Sequence, residues 1–272
     1  MKIIISHDVD HLYAKDHWLR DFVYPKLWIR ESLNLIRKNI SLYEWILRIT
    51  DCFRVERNNI EALADFDVRN GIPSTFFFGM NQGLGMSYKP DEAKSKVCLI
   101  KSKNLDVGVH GIAYSNFEDI QNEYNKFIST TGIVPNGMRM HYVRYNKDTF
   151  SLLEQVGYKY DSTEFDKEEG NTLKNPYKIG AMWEFPVTIM DSYLPKHLGD
   201  AKNYTINHLQ KCKDSDLKYV SILFHDYYFT SSYSILFNWY KWLIQYILET
   251  EGDIFISYEN AVKELERENG GR

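Results

Sequence analysis

Cysteine is scarce: Cys52, Cys98 and Cys212 are the only three in 272 residues, widely spaced and odd in number. That excludes a disulfide framework and a cysteine-built zinc cluster. No apolar run approaches the ~20 residues a membrane helix needs, and the opening MKIIISHDVDH turns charged too soon for a signal peptide. The 7 prolines and 15 glycines never gather into a linker, repeat or low-complexity tract, so one domain over residues 1–272 is expected. Charge of one sign is also missing: 33 Lys and Arg stand against 37 Asp and Glu, a net of −4. Such a balance gives no support to general binding of nucleic acid or of an anionic membrane. A cytoplasmic location is the corresponding expectation.

Aromatics are what the chain has in excess, 15% of it with 20 Tyr and 6 Trp. Rings stack on the apolar faces of sugars, although most rings in a chain that is 44% hydrophobic belong to its core. Short apolar runs alternate with helical periodicity. Residues 2–6, 74–80, 105–110, 137–142, 158–162, 183–189, 219–225 and 254–257 read as strands. Helices are predicted over 59–69, 94–103, 117–130, 147–156, 204–211, 234–248 and 259–267. Residues 18–49 carry helical spacing without an intervening strand and form one or two helices of an insertion at about 13–58, with Trp18, Trp28 and Trp45. The alternation implies right-handed crossovers and a parallel sheet, an α/β barrel.

The polar residues gather at strand ends. His7, Asp8, Asp10 and His11 follow the first strand, His110 ends the third, and Arg139 and His141 end the fourth. Asp161 ends the fifth, and His225 with Asp226 ends the penultimate one. In a parallel barrel these C-terminal ends converge on one rim, where active sites sit. A lone charge there is normally a helix cap or a loop ion pair. Five strands delivering carboxylates, imidazoles and a guanidinium to one rim are not explained by capping.

A carboxylate with an imidazole suits a divalent cation such as zinc, cobalt or nickel. A second carboxylate can take a proton from water, and a separate imidazole can protonate a leaving group. Arg139 can hold the basic carboxylate ionised, and Asp161 can do the same for the acidic histidine. The set describes metal-assisted hydrolysis of an acyl bond.

The order of motifs resembles the polysaccharide deacetylases of the NodB-homology type, carbohydrate esterase family 4, which remove acetyl groups from carbohydrates. SHDVDH resembles the family's aspartate pair and implies Asp8 as base and Asp10 as metal ligand. VGVHGIAYSN aligns His110 with the first histidine of an HxxxH pair. GMRMHYVRY places Arg139 as the arginine that braces the base, YDSTEF places Asp161 as the aspartate that tunes the acid, and SILFHDYYF places His225 as that acid. The likeness spans the chain outside the insertion. It implies a distorted (β/α)7 barrel with seven strands rather than eight.

One position departs from the pattern. Tyr114 stands where the family has its second metal-binding histidine. Metal binding is then weaker, or another residue completes the set, or catalysis is lost. His141 is a substitute, because it lies two residues after Arg139 and strand periodicity points both inward. A hydrogen-bonded or substrate-contacting histidine is the alternative for that position. His11 is the remaining candidate ligand, and His17, His197 and His208 read as surface residues.

Tyr142, Tyr227 and Tyr114 are expected to contact substrate, with Tyr228 and Phe229 also near the pocket. Asp226 either caps the following helix or orients His225. The expected activity is removal of an acyl group from an amino sugar or polysaccharide intermediate, with zinc, cobalt or nickel as cofactor and a carbohydrate as the one partner. A non-catalytic carbohydrate-binding protein on the same fold, or an amidase for a small non-sugar amide, are the alternatives.

Overall fold

The computed structural model describes residues 1–17 and 22–270. Trp18, counted above among the insertion's aromatics, lies outside them. The chain alternates strands with helices: β1 (Lys2–Val9), then the insertion helices α1 (Val23–Ile36) and α2 (Leu42–Ile49), α3 (Ile60–Arg69), β2 (Thr75–Gly79), α4 (Pro90–Ser102), β3 (Asp106–Gly111), α5 (Phe117–Thr131), β4 (Gly137–Met140) and α6 (Thr149–Val156). There follow β5 (Tyr160–Asp161), β6 (Tyr177–Ile179), β7 (Met182–Glu184), β8 (Val187–Met190), α7 (Leu198–Asp214), β9 (Tyr219–Leu223), α8 (Ser234–Glu249), β10 (Ile254–Phe255) and α9 (Tyr258–Gly270).

The strands form one curled sheet in the order β6-β7-β5-β4-β3-β2-β1-β9-β8, with β10 beside β1. Every ladder is parallel except the β6–β7 hairpin. The predicted strand over 183–189 is two strands with Pro186 between them, a residue that has no N–H to give a ladder. Before Pro186 the segment pairs with β5, and after it with β9. One stretch of chain therefore bridges both ends of the sheet; counting it once, and leaving out the hairpin strand β6 and the side strand β10, gives seven barrel strands. The hairpin strand β6 falls in a tract that reads as a polar loop.

Period-2 alternation splits each strand between two environments. On β1, Ile3, Ile5 and Val9 face the helices, in a core with Phe76, Phe78, Val220 and Ile222. Ile4 faces the barrel's interior with Phe77, Tyr160, Phe185, Tyr219 and Tyr258. β10 and α9 close that lower end. Gly137 is required there, because the Tyr160 ring lies 2.0 Å from where a Cβ would sit. Tyr160 stacks in turn on Tyr258 with ring centroids 4.7 Å apart.

Helix α8 covers the sheet with Trp239, Tyr240, Leu243, Ile244 and Ile247, a buried stripe at helical spacing. Leu243 is fully buried, so Leu243→Ala should cost about 2–5 kcal/mol.

The insertion is two helices laid on the start of α8. Arg48 of α2 donates to the Ser232 carbonyl, and Glu44 accepts from the Ser234 hydroxyl. Glu44 also closes a capping box with Ser41, which explains why α2 starts where it does. Two histidines read as surface residues are buried: His17 against His11, and His208 beneath Tyr204. His197 is exposed, as the sequence suggests.

Candidate active site

The alternation of β1 sorts its polar residues. Asp8, two residues on from Ser6, shares that residue's inward face, and Asp10 follows at the rim. His7 is turned the other way, with Nδ1 2.8 Å from the Phe224 carbonyl and Nε2 2.8 Å from Asp67. Its place in the rim cluster is therefore a correction: a single step along a strand moves a side chain to the opposite face.

Above the apolar floor of the barrel lies a polar layer centred on Arg139, which is fully buried. Its guanidinium donates to the Ser162 carbonyl and hydroxyl, to Ser6 Oγ, to Tyr258 Oη and, at 3.1 Å, to Asp8 Oδ1. Five donors in a rigid fork thus find five acceptors. The arrangement aims Asp8 at the rim.

Asp10, His110 and His141 come together at that rim, with their potential ligand atoms within 4.8 Å of one another. His110 Nδ1 lies 3.1 Å from the Arg139 carbonyl, and His141 Nε2 lies 3.1 Å from the Leu84 carbonyl. A carbonyl only accepts, so each outer nitrogen carries the proton of a neutral ring and the inner one is left with its lone pair. The two inner nitrogens face each other at 3.0 Å, and Asp10 Oδ1 is 3.3 Å from one and 3.2 Å from the other. Three electron-rich atoms converge on one point, and Asp10 Oδ1 is buried without a hydrogen bond.

Positive charge relieves that convergence. Burial alone would lower His141, yet the Asp10 carboxylate raises its pKa above the ordinary value. Burial alone would raise Asp10, yet the charge of His141 and the imidazoles beside it hold it well below the usual carboxylate range. A proton answers the need with one charge. A divalent cation fits the same two nitrogens and one oxygen, a donor set suited to zinc.

His225 faces Asp10 from β9, its Nε2 3.8 Å from Oδ2. Its Nδ1 is 2.9 Å from Asp191, which also accepts from the His225 backbone N–H. Burial would lower this histidine, but Asp191, then Asp10 and Asp8, push it up to about 10. The partner expected for His225 was Asp161, and the structure corrects this. Asp161 alternates with the inward-facing Tyr160 and Ser162 and so points out of the barrel.

Outside the barrel, Asp161 accepts from the Thr163 hydroxyl and sits opposite Glu184 in the β5–β7 ladder. Burial raises both carboxyls, and Asp161 lifts Glu184 well above the usual range, which keeps a proton on the pair. Asp191 itself follows β8 directly. The strand-end rule that singled out the other residues would have found it had the 183–189 strand been extended by one residue.

The remaining candidates separate. Tyr227 lies beside His225 and His11, at 5.7 and 5.6 Å between ring centroids. Tyr142 donates to the Leu84 carbonyl and packs against His141, in a left-handed conformation with φ 58°. Tyr114 lies under the Arg144 guanidinium, 4.5 Å from it, and is not among the converging donors. Asp226 neither caps the next helix nor orients His225: it accepts from the Asn59 N–H ahead of α3. Burial pushes that carboxyl up to about 8.

No family model matches this chain, and no curated protein matches it in sequence. Solved structures do match in shape. A putative polysaccharide deacetylase from Mycobacterium smegmatis aligns over 98% of this chain and 91% of its own, with TM-score 0.66 and 14% identity. A probable polysaccharide deacetylase from Pseudomonas aeruginosa PAO1 aligns over 98% and 90%, with TM-score 0.62 and 14% identity. A PuuE allantoinase aligns over 96% and 88%, with TM-score 0.60 and 14% identity. The fold is that of the deacetylase barrel, as the sequence predicts.

Proposed function

We propose that this chain is a metal-dependent hydrolase that removes an acyl group from an amino sugar or a related carbohydrate. One observation carries the reading: His110 and His141 each spend the outer nitrogen on a backbone carbonyl and turn a lone pair toward Asp10 Oδ1. Those three residues would hold the cation, zinc by donor type with cobalt or nickel as alternatives. When bound, such a cation supplies a Lewis acid for the acyl oxygen and lowers the pKa of water.

The other roles follow from position. Asp8, held by the Arg139 guanidinium at 3.1 Å, takes the proton from the attacking water. His225, carrying its proton because Asp191 holds it charged, gives that proton to the leaving nitrogen. Both groups border Asp10, Asp8 two residues before it on β1 and His225 just past the neighbouring strand β9. Tyr227, beside His225, would stack on the sugar, and Tyr142 would line the metal side of the cleft.

The likeness to an allantoinase structure supports a second reading, hydrolysis of a small non-sugar amide by the same residues. Metal analysis and a substrate screen test both. Purified protein should hold about one equivalent of metal and release acetate from N-acetylated sugars, with Asp8→Asn reducing the rate by ~10²–10⁴ at unchanged metal content. Turnover of small cyclic amides alone would select the second reading. Full activity in Asp8→Asn would remove the base from Asp8.

A further inference from the structure

A cavity of about 620 Å³ opens beside the acid wall of the site. It shares Asp191 and Tyr228 with that wall, and the Tyr228 ring lies 6.0 Å from His225. The insertion forms its other side. Ile29 and Leu33 of α1 line it together with Leu194 and Leu236, which gives it an apolar part.

Its edge is cationic. Lys26, Arg30, Arg37, Arg48 and Lys196 line it against only two carboxylates, Glu31 and Asp191. Both carboxylates are committed: Glu31 to Arg30 and Arg48, Asp191 to His225. Arg37 and Lys196 have no ion pair among the described residues and are exposed.

The insertion differs from the rest of the chain in the same sense. Residues 13–58 hold nine Lys and Arg against six Asp and Glu, a net of +3, so the remainder stands at −7. Among the described residues, ten of the nineteen exposed large hydrophobics, Phe22, Ile36, Tyr43 and Phe53 among them, also fall in this stretch. Apolar surface bordered by positive charge is the chemistry of an anionic amphiphile's binding site.

We propose that this cavity binds the hydrocarbon and phosphate of an anionic lipid, and so presents a lipid-linked sugar to the neighbouring site. The presentation rests on the hydrolase reading; the lipid binding does not. The hydrocarbon lies between Ile29, Leu33 and Leu236, and the phosphate meets Arg37 and Lys196. The chain's overall negative charge hides this local inversion.

The test is calorimetric titration with decyl phosphate below its micellar concentration, against inorganic phosphate and decyl glucoside. The expected result is saturable one-to-one binding of decyl phosphate, weakened tenfold or more both in R37E/K196E and in Leu33→Asp. Anionic phosphatidylglycerol vesicles should bind too, in competition with decyl phosphate. Equal binding of inorganic phosphate, equal binding of decyl glucoside, no saturable binding, or vesicle binding that decyl phosphate leaves unchanged would each overturn the proposal. Binding measured on Asp8→Asn, inert as a hydrolase, keeps this result separate from the fate of the hydrolase reading.

Discussion

Two histidines of this barrel each hold an aspartate, and their surroundings assign them opposite work. His7 spends Nδ1 on the Phe224 carbonyl and Nε2 on Asp67, which is tied further to Ser74 and Tyr240. Neither nitrogen remains, and the ring is fully buried. His225 spends only Nδ1, on Asp191, and its Nε2 looks across the cleft at Asp10. An aspartate beside a histidine therefore does not mark catalysis by itself. The unspent nitrogen and its exposure to the cleft do.

The largest expected effect sharpens that contrast. Asp191→Asn should lower hydrolysis by ~10²–10⁴ while thermal stability and metal content stay close to those of the parent. Asp67→Asn should leave the chemistry of the folded protein alone. Equal rate losses in the two variants would dissolve the distinction.

Stability should respond in reverse. Asp67→Ala strands His7, Ser74 and Tyr240 in the interior, at a cost of about 3–5 kcal/mol in urea unfolding, while Asp191→Asn costs less. A third histidine extends the series. His208 is buried with no carboxylate beside it, and burial, then Lys211, push it down to about 4. The folded protein thus refuses a proton that the unfolded chain accepts near pH 6.5. Stability is whole above that pH and declines as pH falls from 6.5 toward 4, by about 2 kcal/mol at pH 5. His208→Gln should flatten that decline, and an unchanged slope would place the acid sensitivity elsewhere.

The smallest effect concerns Tyr114. Arg144 holds its ring away from the three converging donors, so Tyr114→His should change metal affinity by less than about tenfold, whereas His141→Ala should lower it far more. Equilibrium dialysis with zinc separates the two. A strong gain in Tyr114→His would mean that position 114 reaches the ion after all.

Much of this site is legible in the sequence because strands announce their own ends. Asp8, Asp10, His110, Arg139 and His225 each follow an apolar run, and parallel strands bring those ends to one rim. Alternation from Arg139 offers His141 as one candidate ligand, although β4 ends at Met140 and the residue stands in the turn after it. What could not be read depends on contacts without local trace. The Leu84 carbonyl that sets the His141 tautomer comes from a polar loop 57 residues earlier in the chain. Asp161 was assigned to the acid by its motif, and β5, only two residues long, leaves too little pattern to show that its aspartate faces away. His17 and His208 carry polar neighbours in sequence and bury all the same, since burial is decided by the helices packed over them.

The bend at Pro186 has a mechanical reading. Glu184 is fastened to β5 on one side of it, and Asp191 hangs at the far end of the stretch laced to β9. The residue that orients the proton donor thus sits on the strand beside the barrel's seam, while His225 itself follows β9 in the continuous sheet. Any spreading of the barrel concentrates at the seam, and Asp191 and His225, carried on strands laddered to β1, stay beside Asp8 and Asp10 while β5 and β7 draw away.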